Sequence, residues 1–178
     1  ALKALLEKVP AASIAGIGLT GQMHGLVLLD GAGSVLRPCI MWNDQRTASQ
    51  CDLITQRIGR ERVLQLTGSP VLSGFTAPKI LWVQENEPEI WARTEHILLP
   101  KDYIRYRLSG EFATEVSDAS GMSLVDVGRR CWSEEMLEAC GVRLEQCAEL
   151  TESTTVSASV NVKAAETTGL LQGTPIVG

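Results

Sequence analysis

The sequence predicts an α/β fold on two observations. Short continuous apolar runs carrying glycine, "SIAGIGLTG" (13–21) and "LVLLD" (26–30), have the character of strands buried on both faces. Around them stand segments whose apolar residues recur at helical spacing and end at Gly or Pro. Strands alternating with helices imply a mostly parallel or mixed sheet with helices flanking it.

Taken in order, "LKALLEKV" puts Leu2, Leu5, Leu6 and Val9 on one helical stripe that Pro10 ends. The two apolar runs follow, then a turn from Asp30 to Ser34. "TASQCDLITQRIG" (47–59) places Cys51, Ile54 and Ile58 on one face, with Gly59 as its stop. Residues 66–77, rich in Gly, Ser and Pro, form a loop. "PKILWVQENEPEIWA" (78–92) is a helix broken at Pro88. "HILLP" (96–100) is a short strand, and "KDYIRYRLSG" a helix stopped by Gly110. "ATEVSDASGMSLVDV" (113–127) mixes strand character with a bend. In "CWSEEMLEACGV" (131–142) Ser133 caps a helix, Glu134 and Glu135 suit its dipole, Trp132 staples onto Leu137, and Gly141 stops it. From 154 to 178 an alternating edge strand is followed by a turn and an apolar strand.

The 178 residues suffice for one domain. With 44% hydrophobic residues, 21% charged and a net charge of −5, the balance is that of an ordinary globular protein. Without a basic surplus, nucleic acid and anionic membrane are not expected partners. No apolar run reaches membrane-span length, and "ALKALLEKVP" lacks a signal layout. The five cysteines are odd in number and form no C-x-x-C, which suits reduced thiols in a cytoplasm better than a disulfide frame or a zinc site. The two histidines, His24 and His96, are far apart, which argues against a His-rich metal site. The chain begins inside a helical segment without an initiator Met and stops at "TPIVG", a buried strand. Both ends therefore read as cut, and a larger parent protein is expected.

Three stretches carry candidate chemistry. In "GLTGQMHGLVLLD" (18–30), Met23 and His24 occupy a bend where a hairpin would favour Asn-Gly or Asp-Gly. Gly21 and Gly25 permit close backbone approach. Met23 offers a soft apolar floor and His24 a hydroxyl partner; alternatively Met23 fills core and His24 is a satisfied turn residue. In "PCIMWNDQRT" (38–47), Trp42 beside Asn43, Asp44 and Arg46 suits a polyol, the ring covering C–H surface while polar groups bind hydroxyls. The alternative makes Asp44 a helix cap and Arg46 its surface partner. In "VSDASGM" (116–122), Asp118 is a base, a hydroxyl acceptor or a turn carboxylate bonded to its own backbone. Asp102, after Pro100, reads as a first-turn charge. Neither a P-loop nor G-x-S-x-G nor G-x-G-x-x-G is present.

The stretch "GFTAPKILWVQEN" (74–86) is similar to the signature of the FGGY carbohydrate kinases, with Gly74, Thr76, Lys79, Ile80, Trp82, Val83, Glu85 and Asn86 all compatible. "GQMHG", "WNDQRT", "LLPKDYIRYRLSGEFATEVSDASGM" and "GTPIVG" resemble further blocks of the family in the same order, and Met-His at the first block resembles its xylulose branch. The resemblance implies an actin-like (RNase H-like) domain, incomplete at both ends, spanning 1–178 as the sugar-binding half of a two-domain kinase. It implies D-xylulose as substrate, ATP and Mg²⁺ held mainly on the other domain, and a homodimer. Met23 and His24 would touch the sugar, with Trp42, Asn43, Asp44 and Asp118 lining or supporting the pocket. A phosphate-binding motif would precede Ala1 and the catalytic base, an Asp, would follow Gly178, so that the isolated stretch would not catalyse. Another sugar of the same family, such as gluconate or ribulose, and a non-catalytic sugar-binding module are the alternative readings.

Overall fold

The computed structural model describes residues 1–178. Nine α-helices and nine short strands alternate along the chain. Helix α1 (Leu2–Leu6) is short, and only part of its stripe is used: Leu2 and Leu6 pack inward, while Leu5 and Val9 are exposed. The run at 13–21 contributes only strand β1 (Ile17–Gly18), with Ile17 half-buried and Gly18 exposed. Within residues 1–178, β1 pairs only with β9 (Pro175–Val177) and is not buried on both faces. The expectation of such burial holds for β2 (Val27–Leu29), whose alternate residues enter different clusters: Leu28 joins the main core, and Val27 and Leu29 join a smaller one with Leu98.

The sheet is mixed and divided. One part has the order β1-β9-β8, β8 (Ala158–Ser159) being the antiparallel edge and β1 parallel to β9. Strand β2 pairs antiparallel with β3 (His96–Leu98), and a parallel bridge from Ile97 to Cys147 leads toward β7 (Glu149–Thr151), which pairs with β4 (Ala113–Glu115). Between 18–30 and its surroundings there is no hairpin, because β1 and β2 take different partners.

The helices follow their capping residues. Helix α2 (Ala48–Ile58) buries Cys51 and Ile54 and stops at Gly59, where the chain immediately re-enters helix as α3 (Arg60–Thr67), an element the sequence reading passes over. Helix α4 (Thr76–Asn86) starts two residues earlier than expected, and Pro88 opens α5 (Pro88–Trp91). Helix α6 (Pro100–Ser109) ends at a left-handed Gly110. Glu115 caps the short α7 (Val116–Ser120) by accepting from the N–H groups of Ser117 and Asp118. Cys131 and Trp132 lie not in a helix but in a hairpin, β5 (Val125–Asp126) with β6 (Cys131–Trp132). Ser133 then caps α8 (Glu134–Ala139) as read, accepting from the Met136 N–H. The turn expected in the C-terminal stretch is helix α9 (Val162–Thr168), capped by Asn161. The main core gathers Leu26, Leu28, Ile54, Ile80, Val83, Ile97 and Leu124 between these helices and β2–β3. No helix is long and apolar enough to cross a membrane.

Candidate functional site

The chain bends at Met23 and His24 in a conformation that most residues avoid. His24 has φ of +67°, in the left-handed region usually left to Gly and Asn. Its surroundings over-determine it. The ring nitrogen Nδ1 lies 2.7 Å from the Gly121 carbonyl oxygen. A carbonyl only accepts, so Nδ1 carries the proton and Nε2 is the nitrogen left for a ligand. The ring also stacks on Phe75 at 4.5 Å between centroids. A Cβ at Gly121 would come within 2.5 Å of His24 Cε1, so residue 121 has room for glycine alone. The glycines flanking the corner admit helix α6: a Cβ at Gly25 would meet Pro100 Cγ at 2.5 Å.

The corner's backbone is held from below by α4. The His24 carbonyl accepts from Lys79 Nζ at 2.7 Å and from Thr76 Oγ1 at 3.2 Å, and Lys79 donates also to the Gly74 carbonyl at 2.6 Å. Lys79 is fully buried, and that burial lowers its pKa to about 8 despite the opposing pull of Cys39 and Asp44. The remaining signature residues are structural too. Ile80 and Val83 fill core, Trp82 lies under the Arg46 guanidinium at 4.6 Å, Glu85 accepts from Gln50, and Asn86 donates to the Trp82 carbonyl.

Beside the corner opens a cleft of about 320 Å³, lined by Gly21, Met23, Lys101, Glu115, Ser117 and Asp118 among others. It brings together two of the predicted residues, Met23 and Asp118, from distant parts of the chain. Larger hollows of about 460 and 510 Å³ elsewhere bring together none of them. Met23 is 55% exposed, so the reading that it fills core does not hold. Asp118 is 8% exposed, and both its carboxylate oxygens are buried without a hydrogen-bond partner. The turn reading, in which that carboxylate binds its own backbone, therefore fails as well. Burial pushes the Asp118 carboxyl up to about 6, against the pull of Lys101.

Under the cleft lies a cluster of buried charges. Lys101 Nζ is 2.9 Å from Asp102 Oδ1, 3.6 Å from Glu115 Oε1 and 3.8 Å from Asp118 Oδ2. Asp102 is in the first turn of α6 as read from the sequence, and it also faces Arg105 NH2 at 3.7 Å. Arg105, fully buried, donates to Ser157 Oγ and to the backbone oxygen of Gly178. Glu115 would be raised by burial, but hydrogen bonds from Ser153 and from the N–H groups of Asp118 and Ser117 hold it below the usual carboxylate range.

Trp42, Asn43 and Asp44 stand on a neighbouring loop and do not line this cleft. That loop adjoins the corner: Gln22 Nε2 donates to Met41 Sδ at 3.1 Å, and the Trp42 carbonyl lies 2.8 Å from where a side chain on residue 74 would begin. Trp42 is 56% exposed. Asp44 accepts from the Arg46 N–H and guanidinium, and that hydrogen bonding keeps its carboxyl below the usual range. The N-cap position of α2 is Thr47, not Asp44. Sequence reasoning passed over Lys101 and Glu115. One signal was present: Lys101 puts a cation in the first turn of a helix, where the dipole disfavours it. No group of His, Cys, Asp and Glu side chains is placed to hold a metal ion.

The profile of the FGGY family of carbohydrate kinases, N-terminal domain, matches residues 1–178. A xylulose kinase from Escherichia coli strain K12 is 44% identical over 170 residues, 96% of this chain and 35% of that protein. A xylulose kinase from Lactococcus lactis is 48% identical over 153 residues, 86% of this chain and 30% of that protein. The chain thus spans about a third of the length of these relatives. Among solved structures, a xyloylose kinase from Brucella ovis superposes with a TM-score of 0.90 at 39% identity, covering 100% of this chain and 37% of its own. A gluconate kinase from Lactobacillus acidophilus superposes at 0.90 with 24% identity, covering 99% of this chain and 36% of its own, a likeness of fold alone.

Proposed function

Because this chain belongs to the FGGY family of carbohydrate kinases, we propose that it is the sugar-binding part of an ATP-dependent kinase for D-xylulose. The parent protein would transfer the γ-phosphoryl group of ATP to the terminal hydroxyl of the sugar, giving D-xylulose 5-phosphate. The observation that carries the reading is the convergence of Met23 and Asp118 on one cleft, with the His24 ring fixed beside it. Met23 presents an apolar surface to the sugar's C–H faces, and Asp118 accepts a hydroxyl. His24 meets another hydroxyl through Nε2, since Nδ1 is committed to Gly121. Trp42 and Asn43 form the neighbouring wall, and Asp44 supports them by holding Arg46.

Phosphoryl transfer depends on positioning and on stabilising charge, and ATP with Mg²⁺ supplies the transferred group and neutralises it. Neither is assigned a residue in this chain. By the family resemblance both belong to the other domain, and the catalytic base is an Asp after Gly178. What residues 1–178 contribute is a pre-formed seat that fixes the sugar before the domains close.

The test is ADP release by the full-length protein with Mg-ATP across D-xylulose, D-ribulose, D-gluconate and glycerol, with His24→Ala alongside. Preference for D-xylulose, weakened in the variant mainly through a raised KM, supports the reading. Preference for another sugar moves the specificity within the family. Absence of sugar-dependent turnover supports a binding module instead.

A further inference from the structure

Lys101 and Asp118 lie side by side at the base of the cleft, 3.8 Å apart, with unmet hydrogen-bonding capacity of opposite kinds. The Lys101 ammonium makes one hydrogen bond, to Asp102 at 2.9 Å, and stands 3.6 and 3.8 Å from the Glu115 and Asp118 carboxylates, beyond hydrogen-bond length. An ammonium has three donors, so donors remain. Asp118 has two acceptor oxygens, neither of them partnered nor open to water. Each is a costly condition in a folded protein, and the two occur side by side on the lining of one cleft. Their neighbours cannot relieve them. Glu115 is occupied by Ser153 and two backbone N–H groups, while Asp102 is shared between Lys101 and Arg105.

A hydroxyl group is donor and acceptor at once, so it satisfies both sides of this gap where water-free apolar surface satisfies neither. We propose that Lys101 and Asp118 form a hydroxyl-reading subsite, in which one non-reacting hydroxyl of the sugar donates to the Asp118 carboxylate and accepts from the Lys101 ammonium. The second Asp118 oxygen takes the hydroxyl of the adjacent carbon. Lys101 is on this account a specificity-determining residue, and Asp102 with Arg105 are positioning residues that keep its ammonium beneath the cleft. The inference rests on the sugar-kinase reading above and adds which part of the ligand is read, and by what. A polar pair of this kind rejects a ligand lacking the hydroxyl, because removing it leaves both groups unpaired again.

The experiment uses the full-length protein, D-xylulose, and analogues of D-xylulose each lacking one non-reacting hydroxyl. Sugar affinity is read by calorimetry and kcat/KM by ADP release, in wild type, Lys101→Met and Asp118→Asn. Wild type is expected to lose roughly 10- to 100-fold on one of the analogues. Lys101→Met is expected to bind D-xylulose more weakly by a similar factor and to lose its discrimination against that same analogue, which a merely structural role would not change. Asp118→Asn, close in shape, carries the same comparison if Lys101→Met does not fold. Variants that keep the full wild-type penalty on every analogue overturn this inference while leaving the kinase reading intact. Wild type that binds none of the sugars overturns both.

Discussion

At His24 the left-handed backbone turns the ring toward Gly121, and the absence of a side chain at 121 is what lets it lie there. Gly121→Ala therefore drives the ring off its carbonyl partner. Steady-state kinetics of the full-length protein should show the sugar KM raised by about 10-fold, with a smaller change in kcat. Asp118 makes the opposite kind of prediction. Its folded pKa of about 6 stands above the ordinary 3.8, so the fold prefers the protonated form. That preference stabilises the protein fully below pH 3.8 and is lost as the pH rises through about 6. At neutral pH the charged carboxylate thus costs about 1–3 kcal/mol. Asp118→Asn should raise Tm at pH 7 and flatten the pH dependence of stability between about 4 and 6. Thermal melts across that range check it.

Helix α4 shows why an element's motif is not the same as its site. Its Lys79 and Thr76 bind backbone carbonyls, so these residues of the 74–86 signature fix the shape of the corner. Lys79→Met would orphan the Gly74 carbonyl and leave the His24 carbonyl to Thr76 alone, and should cost about 1–3 kcal/mol. Since burial holds the Lys79 pKa at about 8 against an ordinary 10.5, its contribution to stability is present above pH 10.5 and is lost as the pH falls through about 8. Chemical denaturation of wild type and variant over that interval should show the rise only in wild type. Ser133→Ala, at the cap of α8, should lower stability by about 1 kcal/mol and leave the sugar KM unchanged. Elements bounded by such signals were legible: α2, α6 and α8 start or stop at a Pro, Ser or Gly that says so. Helix α3 was not, because its N-cap, Gly59, is also the C-cap of α2 and reads as a stop. Strands of two or three residues, such as β5, β6 and β7, carry too little pattern to register and are set by their partners. In the site, Met23 and Asp118 stood out by residue type at a bend. Lys101 gained its meaning only when folding set it against carboxylates from 102, 115 and 118.

Over the whole fold, the charge cluster ties helix α6 to the stretch that carries β8 and β9. Arg105 is fully buried and reaches Ser157 beside β8 and Gly178 beyond β9, while Asp102 and Lys101 extend the connection to the cleft. Removing one partner of such a buried network leaves its counter-charge uncompensated. Arg105→Met should therefore destabilise the protein by about 3–5 kcal/mol. Exposed pairs such as Arg62–Glu135 and Arg143–Glu95 contribute far less, so the melting point should hardly move with added salt. The parallel pairing of β1 with β9, Ile17 against Ile176, has a further consequence for synthesis. Strand β1 leaves the ribosome some 160 residues before its partner exists, a wait of roughly 8–30 s at ordinary translation rates. Through that interval the apolar stretch around Ile17 lacks the β9 partner that it has in the fold. The cleft, whose lining starts at Leu19 just after β1, accordingly assembles only once β9 has emerged, and chaperone dependence or slow codons around 175–177 would act on that step first.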